Sequence, residues 1–191
     1  MSKKILIIGR SGSGKSASLR NFAKGEVGII SVQGKELPFQ SDLPTFAPRM
    51  NEKTFNKYPD VMAAIRKADA KVLVVDDANY LMSDEFMNRS GERGYEKFTQ
   101  LAQNFYQMLQ VCDNLPVDVT VYIMMHYELD ADGYEKPKTI GNLLDEKIVI
   151  EGLFTTVLKA ACVNGEYVFI TRTAGNGCIK APIGMLEDAQ I

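Results

Sequence analysis

The sequence predicts an α/β fold: a mainly parallel sheet flanked by helices, with a C-terminal antiparallel hairpin. Three observations carry this. Short continuous apolar runs, such as ILII at 5–8 and VLVV at 72–75, have the character of strands buried on both faces. Longer stretches at helical spacing lie between them. Near the end of the chain, Asn164-Gly165 separates two β-prone runs, a hairpin signal.

Taken in order, residues 5–8 form a first buried strand, 15–23 a helix and 27–32 (VGIISV) a second strand. Pro38, Pro44 and Pro48 make 34–55 a loop-rich segment, and 55–68 returns to helical spacing. Residues 71–76 (KVLVVD) form a strand that stops at two carboxylates. A long helical region follows, broken at RSGERG (89–94). Its second part carries Phe98, Leu101, Ala102, Phe105, Met108 and Leu109 on one stripe. A third core strand, 117–125, ends at His126, and a polar loop (ELDADGYEKPKTIG) leads to the hairpin.

The 191 residues, 46% of them hydrophobic, suffice for one domain, read as a core over 1–150 and a hairpin extension over 151–191. The N-terminal segment is too polar and its apolar run too short for a signal peptide. No apolar run reaches the roughly 18 residues of a membrane span, so a cytoplasmic protein without a membrane partner is expected. Three dispersed cysteines and a single histidine make a zinc site a poor fit and suit a reducing compartment. A net charge of −2 provides no global attraction for nucleic acid, so any such binding needs a local patch or an assembled groove.

The most informative stretch is GRSGSGKS. Gly9, Gly14, Lys15 and Ser16 satisfy G-x-x-x-x-G-K-[ST], with Gly12 as an extra glycine, after a strand and before a helix. In such a loop the backbone N–H groups of residues 9–17 (Gly9, Arg10, Ser11, Gly12, Ser13, Gly14, Lys15, Ser16, Ala17) turn inward around a phosphate chain. Lys15 reaches the β- and γ-phosphates, and the Ser16 hydroxyl ligates Mg²⁺. Asp76, at the end of a buried strand, is the matching metal-side carboxylate. A helix cap is the alternative for a strand-end aspartate, and Asp77 could cap the helix that follows. His126, where the next strand stops, is either a contact to the γ-phosphate or attacking water, or an ordinary surface histidine. The guanine-reading NKxD pattern is absent, since 142–145 reads NLLD, which favours ATP over GTP.

The ordered set IIGRSGSGKSASLRNF, IISVQGKELPF, VVDDANYLM, GYEKFTQLA, KTIGNLLDEKIVIEGLFTTVL and GNGCIKAPIGM resembles a family of small phage-encoded ATPases. They are labelled phage nucleotide-binding proteins and are close to the phage RecA-like ATPases that accompany single-strand annealing and recombination genes. The resemblance covers nearly the whole chain. It implies a RecA-like (ASCE) P-loop NTPase fold, ATP binding and Mg²⁺-dependent hydrolysis. It also implies homo-oligomeric assembly on or near single-stranded DNA, with phage single-strand-binding or recombination proteins as partners, in the host cytoplasm.

RecA-type enzymes carry a catalytic glutamate just past the second core strand, where this chain has Gln33. Glutamine can orient a water but cannot take its proton. Glu36 or Asp77 is then the candidate base. The family also places a cation from a neighbouring subunit at the γ-phosphate; the candidates are Arg89, Arg93, Lys136 and Lys138. Candidate DNA contacts are residues 134–138, Arg172 and Lys180. Two other functions stay open: a nucleotide-switched assembly protein with little turnover, and a small-molecule kinase. The second lacks an arginine-rich lid, because ELDADGYEKPK holds no arginine.

Overall fold

A computed structural model describes residues 3–173, 176–184, 186, 189 and 190. The end of the extension at 174–175, 185, 187–188 and 191 lies outside the described residues. Among the described residues, ten strands and three α-helices are formed: β1 (Lys3–Ile8), β2 (Val27–Ser31), β3 (Thr45–Phe46), α1 (Tyr58–Lys67), β4 (Val72–Asp76), α2 (Asn79–Asn88), α3 (Glu96–Asp113), β5 (Thr120–Met125), β6 (Tyr127–Leu129), β7 (Glu135–Pro137), β8 (Thr156–Val163), β9 (Glu166–Ile170) and β10 (Ala189–Gln190).

Eight strands form one sheet in the order β10-β9-β8-β1-β5-β4-β2-β3. β8, β1, β5, β4, β2 and β3 run parallel, and β9 returns antiparallel to β8. β5 therefore lies between β1 and β4, and the C-terminal ends of all three meet at one edge. β8 pairs directly with β1, so the parallel sheet continues past residue 150 before the hairpin turns back. That turn has Asn164 at φ 53° and Gly165 at φ 87°, the left-handed pair that a two-residue hairpin of matching twist requires.

Each apolar strand has its side chains on both faces, as period-two alternation dictates. Leu6, Ile8, Ile30, Val32, Leu73, Val75 and Ile123 enter the larger cluster, beneath α1, α2 and α3. Ile5, Ile7, Ile29, Val74 and Met124 enter a smaller one on the opposite face. α3 packs against the first through Leu101, Ala102, Phe105, Met108, Leu109 and Cys112, a spacing of three and four that keeps one stripe inward.

Two segments near the site differ from the sequence expectation. The helix expected at 15–23 is a six-residue 3-10 helix, Ser16–Asn21. Ser18 Oγ donates to the Lys15 carbonyl at 2.6 Å and so competes for the backbone acceptors an α-helix would use. The expected polar loop after His126 contains a second small sheet, β6 antiparallel to β7. Its turn is local side-chain chemistry: Asp130 Oδ1 accepts from the backbone N of Asp132 and Tyr134, and Gly133 sits at φ 76°.

Candidate functional site

The glycine loop lies at the edge where β1, β5 and β4 end. Its first residue is held by the sheet, with Gly9 N donating to the Met125 carbonyl at 3.1 Å. A Cβ at Gly9 would stand 2.4 Å from Ser13 Oγ and 2.9 Å from the Ala160 carbonyl oxygen, so no side chain fits there. Gly12 and Gly14 serve a different need, with φ 76° and 93° in the left-handed region. The loop thereby curls over itself, and the Lys15 ammonium folds back on it. Lys15 Nζ donates to the carbonyls of Gly9 (2.8 Å) and Arg10 (3.0 Å).

Ser16 Oγ donates to Asp76 Oδ2 at 2.7 Å. The other oxygen, Asp76 Oδ1, is buried without a hydrogen-bond partner, and so is Ser13 Oγ. Burial, opposed by the Ser16 hydrogen bond, raises the Asp76 carboxyl above its ordinary value. Burial likewise lowers the Lys15 ammonium, while the charges of Asp77 and Asp76 pull it back up. A buried carboxylate oxygen with nothing to accept from is costly unless a cation or donor completes it. Hydroxyl plus carboxylate is a hard-oxygen pair suited to Mg²⁺, which keeps several waters and takes the rest of its ligands from a phosphate substrate. Among the described residues, no cluster of three or more His, Cys, Asp and Glu groups could hold a metal without such help.

Asp77 follows at φ 60°, left-handed backbone unusual for a residue with a side chain. The peptide is pinned on both sides. Val32 N donates to the Asp76 carbonyl at 3.2 Å, and Ala78 N to that of Met124 at 2.8 Å. Asp77 does not cap α2 with its side chain, which corrects that alternative. Its carboxylate instead pairs with Lys35 Nζ at 2.9 Å and stands 3.6 Å from His126 Nε2. Burial, followed by the charge of Lys15, lowers His126 below its ordinary value, so the ring is neutral near pH 7. Its ring packs edge-on against Tyr80 at 5.8 Å, and its backbone N donates to Asn79 Oδ1.

A cavity of about 450 Å³ opens over these groups. Of the residues singled out from sequence, Ser11, Gly12, Ser13, Gly14, Lys15, Ser16, Ala17, Glu36, Asp76, Asp77 and His126 line it. Arg10 instead stacks its guanidinium over Tyr127, 5.7 Å from the ring centre. Gln33 is absent from the described lining; its amide donates to Asp84 Oδ2 at 3.0 Å, and Asp84 also pairs with Lys57. That removes Gln33 from the position expected of a water-orienting group.

The four candidate cations for a neighbouring site are also outside the described lining. Arg89 is committed within its own chain to Glu85, Glu92 and Gln100. Arg93 and Lys138 are exposed, and Lys136 lies on β7. Among the proposed DNA contacts, Arg172 and Lys180 are exposed, whereas Tyr134 is half-buried and packs partly against the main core cluster. The lining residues the sequence reading missed are Lys35, Pro38, Tyr80 and Tyr167. Lys35 had a legible signal, standing four residues past the end of β2, whose C-terminal end lies at the same sheet edge as the loop. Tyr167 had none, because only the pairing of β8 with β1 carries the hairpin to this edge.

No helix among the described residues is long and apolar enough to cross a membrane. No protein-family profile and no curated protein matches the chain.

Proposed function

We propose that this chain is a RecA-like P-loop NTPase that binds Mg-ATP and hydrolyses it. The observation that carries this is the Ser16–Asp76 contact at 2.7 Å under a glycine loop, with the second Asp76 oxygen buried and unpartnered. The strand order supports the same reading. β5 separates the loop strand β1 from the carboxylate strand β4, the arrangement of P-loop ATPases that carry an extra strand between the two. Bound Mg²⁺ would neutralise charge on the transferring phosphoryl group.

The protein's own residues then divide the work. Backbone N–H groups of residues 11–16 cradle the phosphates, and Lys15 leaves the Gly9 and Arg10 carbonyls to reach them. A water attacks the γ-phosphorus, the bond to the bridging oxygen breaks, and its electron pair leaves with ADP. Asp77 receives the water's proton, with neutral His126 beside it as a hydrogen-bonding partner. The phage recombination context, homo-oligomeric assembly, single-stranded DNA and single-strand-binding partners are part of the proposal through the sequence resemblance.

A second reading, a nucleotide-switched assembly protein with little turnover, is favoured by one observation. The position after β2 holds a glutamine bonded to Asp84 and outside the described cavity lining. Phosphate release from Mg-ATP, with and without single-stranded DNA at several protein concentrations, separates the two. Turnover that rises faster than protein concentration supports an assembled ATPase. Tight binding without turnover supports the switch. Lys15→Ala removes tight nucleotide binding in both, and retained binding by a folded variant overturns the site.

A further inference from the structure

The second core strand ends in a tight turn that aims a lysine at the cavity. Gly34 sits at φ 63°, its N donates to the Ser31 carbonyl at 2.9 Å, and Ser31 Oγ donates to the Lys35 carbonyl at 3.3 Å. The Lys35 ammonium then lies over the Tyr80 ring, 5.2 Å from its centre, and 2.9 Å from Asp77 Oδ2. Lys15 and Lys35 are the two lysines among the described residues lining the cavity, and no arginine lines it with them.

We propose that Lys35 contacts the γ-phosphate from within the same subunit and offsets the charge that develops there during transfer. This rests on the Mg-ATP reading above. The charge-compensating cation sought in a neighbouring subunit is then already present in this one.

Three features fit that task. The Lys35 side chain is 62% exposed, so its ion pair with Asp77 is worth little and is readily exchanged for a more highly charged phosphate. The face of Tyr80 supports the ammonium without neutralising it, and Tyr80 in turn packs against His126. The other lining lysine, Lys15, is bonded to the loop's own carbonyls of Gly9 and Arg10, so Lys35 is the lining cation anchored outside the loop. A purely structural Lys35–Asp77 pair would offset the charge beside a left-handed peptide and would be indifferent to the γ-phosphate.

The test compares wild type, Lys35→Met and Lys35→Arg as full chains, measuring affinity for Mg-ADP and for Mg-ATPγS by calorimetry. Lys35→Met should leave ADP affinity unchanged and lose about 10–100-fold of the preference for the triphosphate, with Lys35→Arg recovering much of it. Where wild type turns over, Lys35→Met should cost about 10²–10³ in kcat. Mixing it with Lys15→Ala subunits should not restore the rate. An unchanged triphosphate preference in folded Lys35→Met overturns the contact, and recovery on mixing overturns its same-subunit assignment. A wild-type chain that binds neither nucleotide overturns the underlying site, and this proposal with it.

Discussion

Ser16 and Asp76 stand 60 positions apart in the chain, yet the serine hydroxyl donates to the carboxylate at 2.7 Å. The contact joins the loop after β1 to the end of β4, two strands that are not neighbours in the sheet. It leaves Asp76 Oδ1 buried and without a partner, an arrangement that is poor for stability and well suited to a cation.

Asp76→Asn should therefore stabilise the ligand-free protein by about 0.5–2 kcal/mol, since it removes a buried charge while keeping the side chain's shape. The same variant should lose the Mg²⁺ dependence of nucleotide binding. Urea denaturation and calorimetry with and without Mg²⁺ read the two effects. A variant less stable than wild type would show that the carboxylate is not under strain.

Gly9→Ala tests the loop's contact with the sheet. The added methyl would meet Ser13 Oγ at 2.4 Å, a side chain that can turn aside, and the Ala160 carbonyl at 2.9 Å, which cannot move without shifting β8. A loss of about 1–3 kcal/mol is expected, together with weakened nucleotide binding. Gly12→Ala has open space around it and faces only a left-handed backbone. It should cost about 1 kcal/mol. Equal losses in chemical denaturation would argue against crowding at Gly9.

Arg89→Ala separates a structural arginine from a catalytic one. Arg89 Nη1 donates at 2.9 Å to Glu85, whose side chain is fully buried and whose carboxylate also accepts from Asn104 Nδ2. Removing the guanidinium leaves a buried carboxylate undercompensated, and a loss of about 3 kcal/mol or more is expected. Unchanged denaturation with a large fall in turnover would return Arg89 to a role at a neighbouring subunit's site.

The sole histidine permits a clean pH experiment. Burial, reinforced by the Lys15 charge and opposed by Asp77, lowers His126 from its ordinary 6.5. As pH falls through about 6.5 the unfolded chain takes up the proton first. The stability contributed by neutral His126 is thus complete above that value and is lost on acidification toward the folded pKa. Unfolding free energies of wild type and His126→Gln should converge or cross as pH drops from about 8 to about 5. Parallel profiles would show that the imidazole is not perturbed.

What the sequence determined alone was local. Four glycine-loop positions, an apolar run before them and a carboxylate at the end of another apolar run marked the residues that the fold gathers around one cavity. A left-handed glycine, a buried strand and a strand end each leave their mark within a few residues. Helix boundaries were less legible, because Ser18 diverts backbone acceptors at the start of the helix after the loop and shortens it to a 3-10 turn. The tertiary structure decided what depends on long-range pairing. Insertion of β5 between β1 and β4 brings His126 beside Asp77, and parallel pairing of β8 with β1 carries Tyr167 to the cavity. It also decided between near neighbours after β2. Gln33 is held by Asp84 on α2, whereas Gly34's left-handed turn returns Lys35 to Asp77. No spacing rule distinguishes residues 33 and 35, which share strand parity; the difference comes from the partners that the packed helix and the neighbouring strand end present.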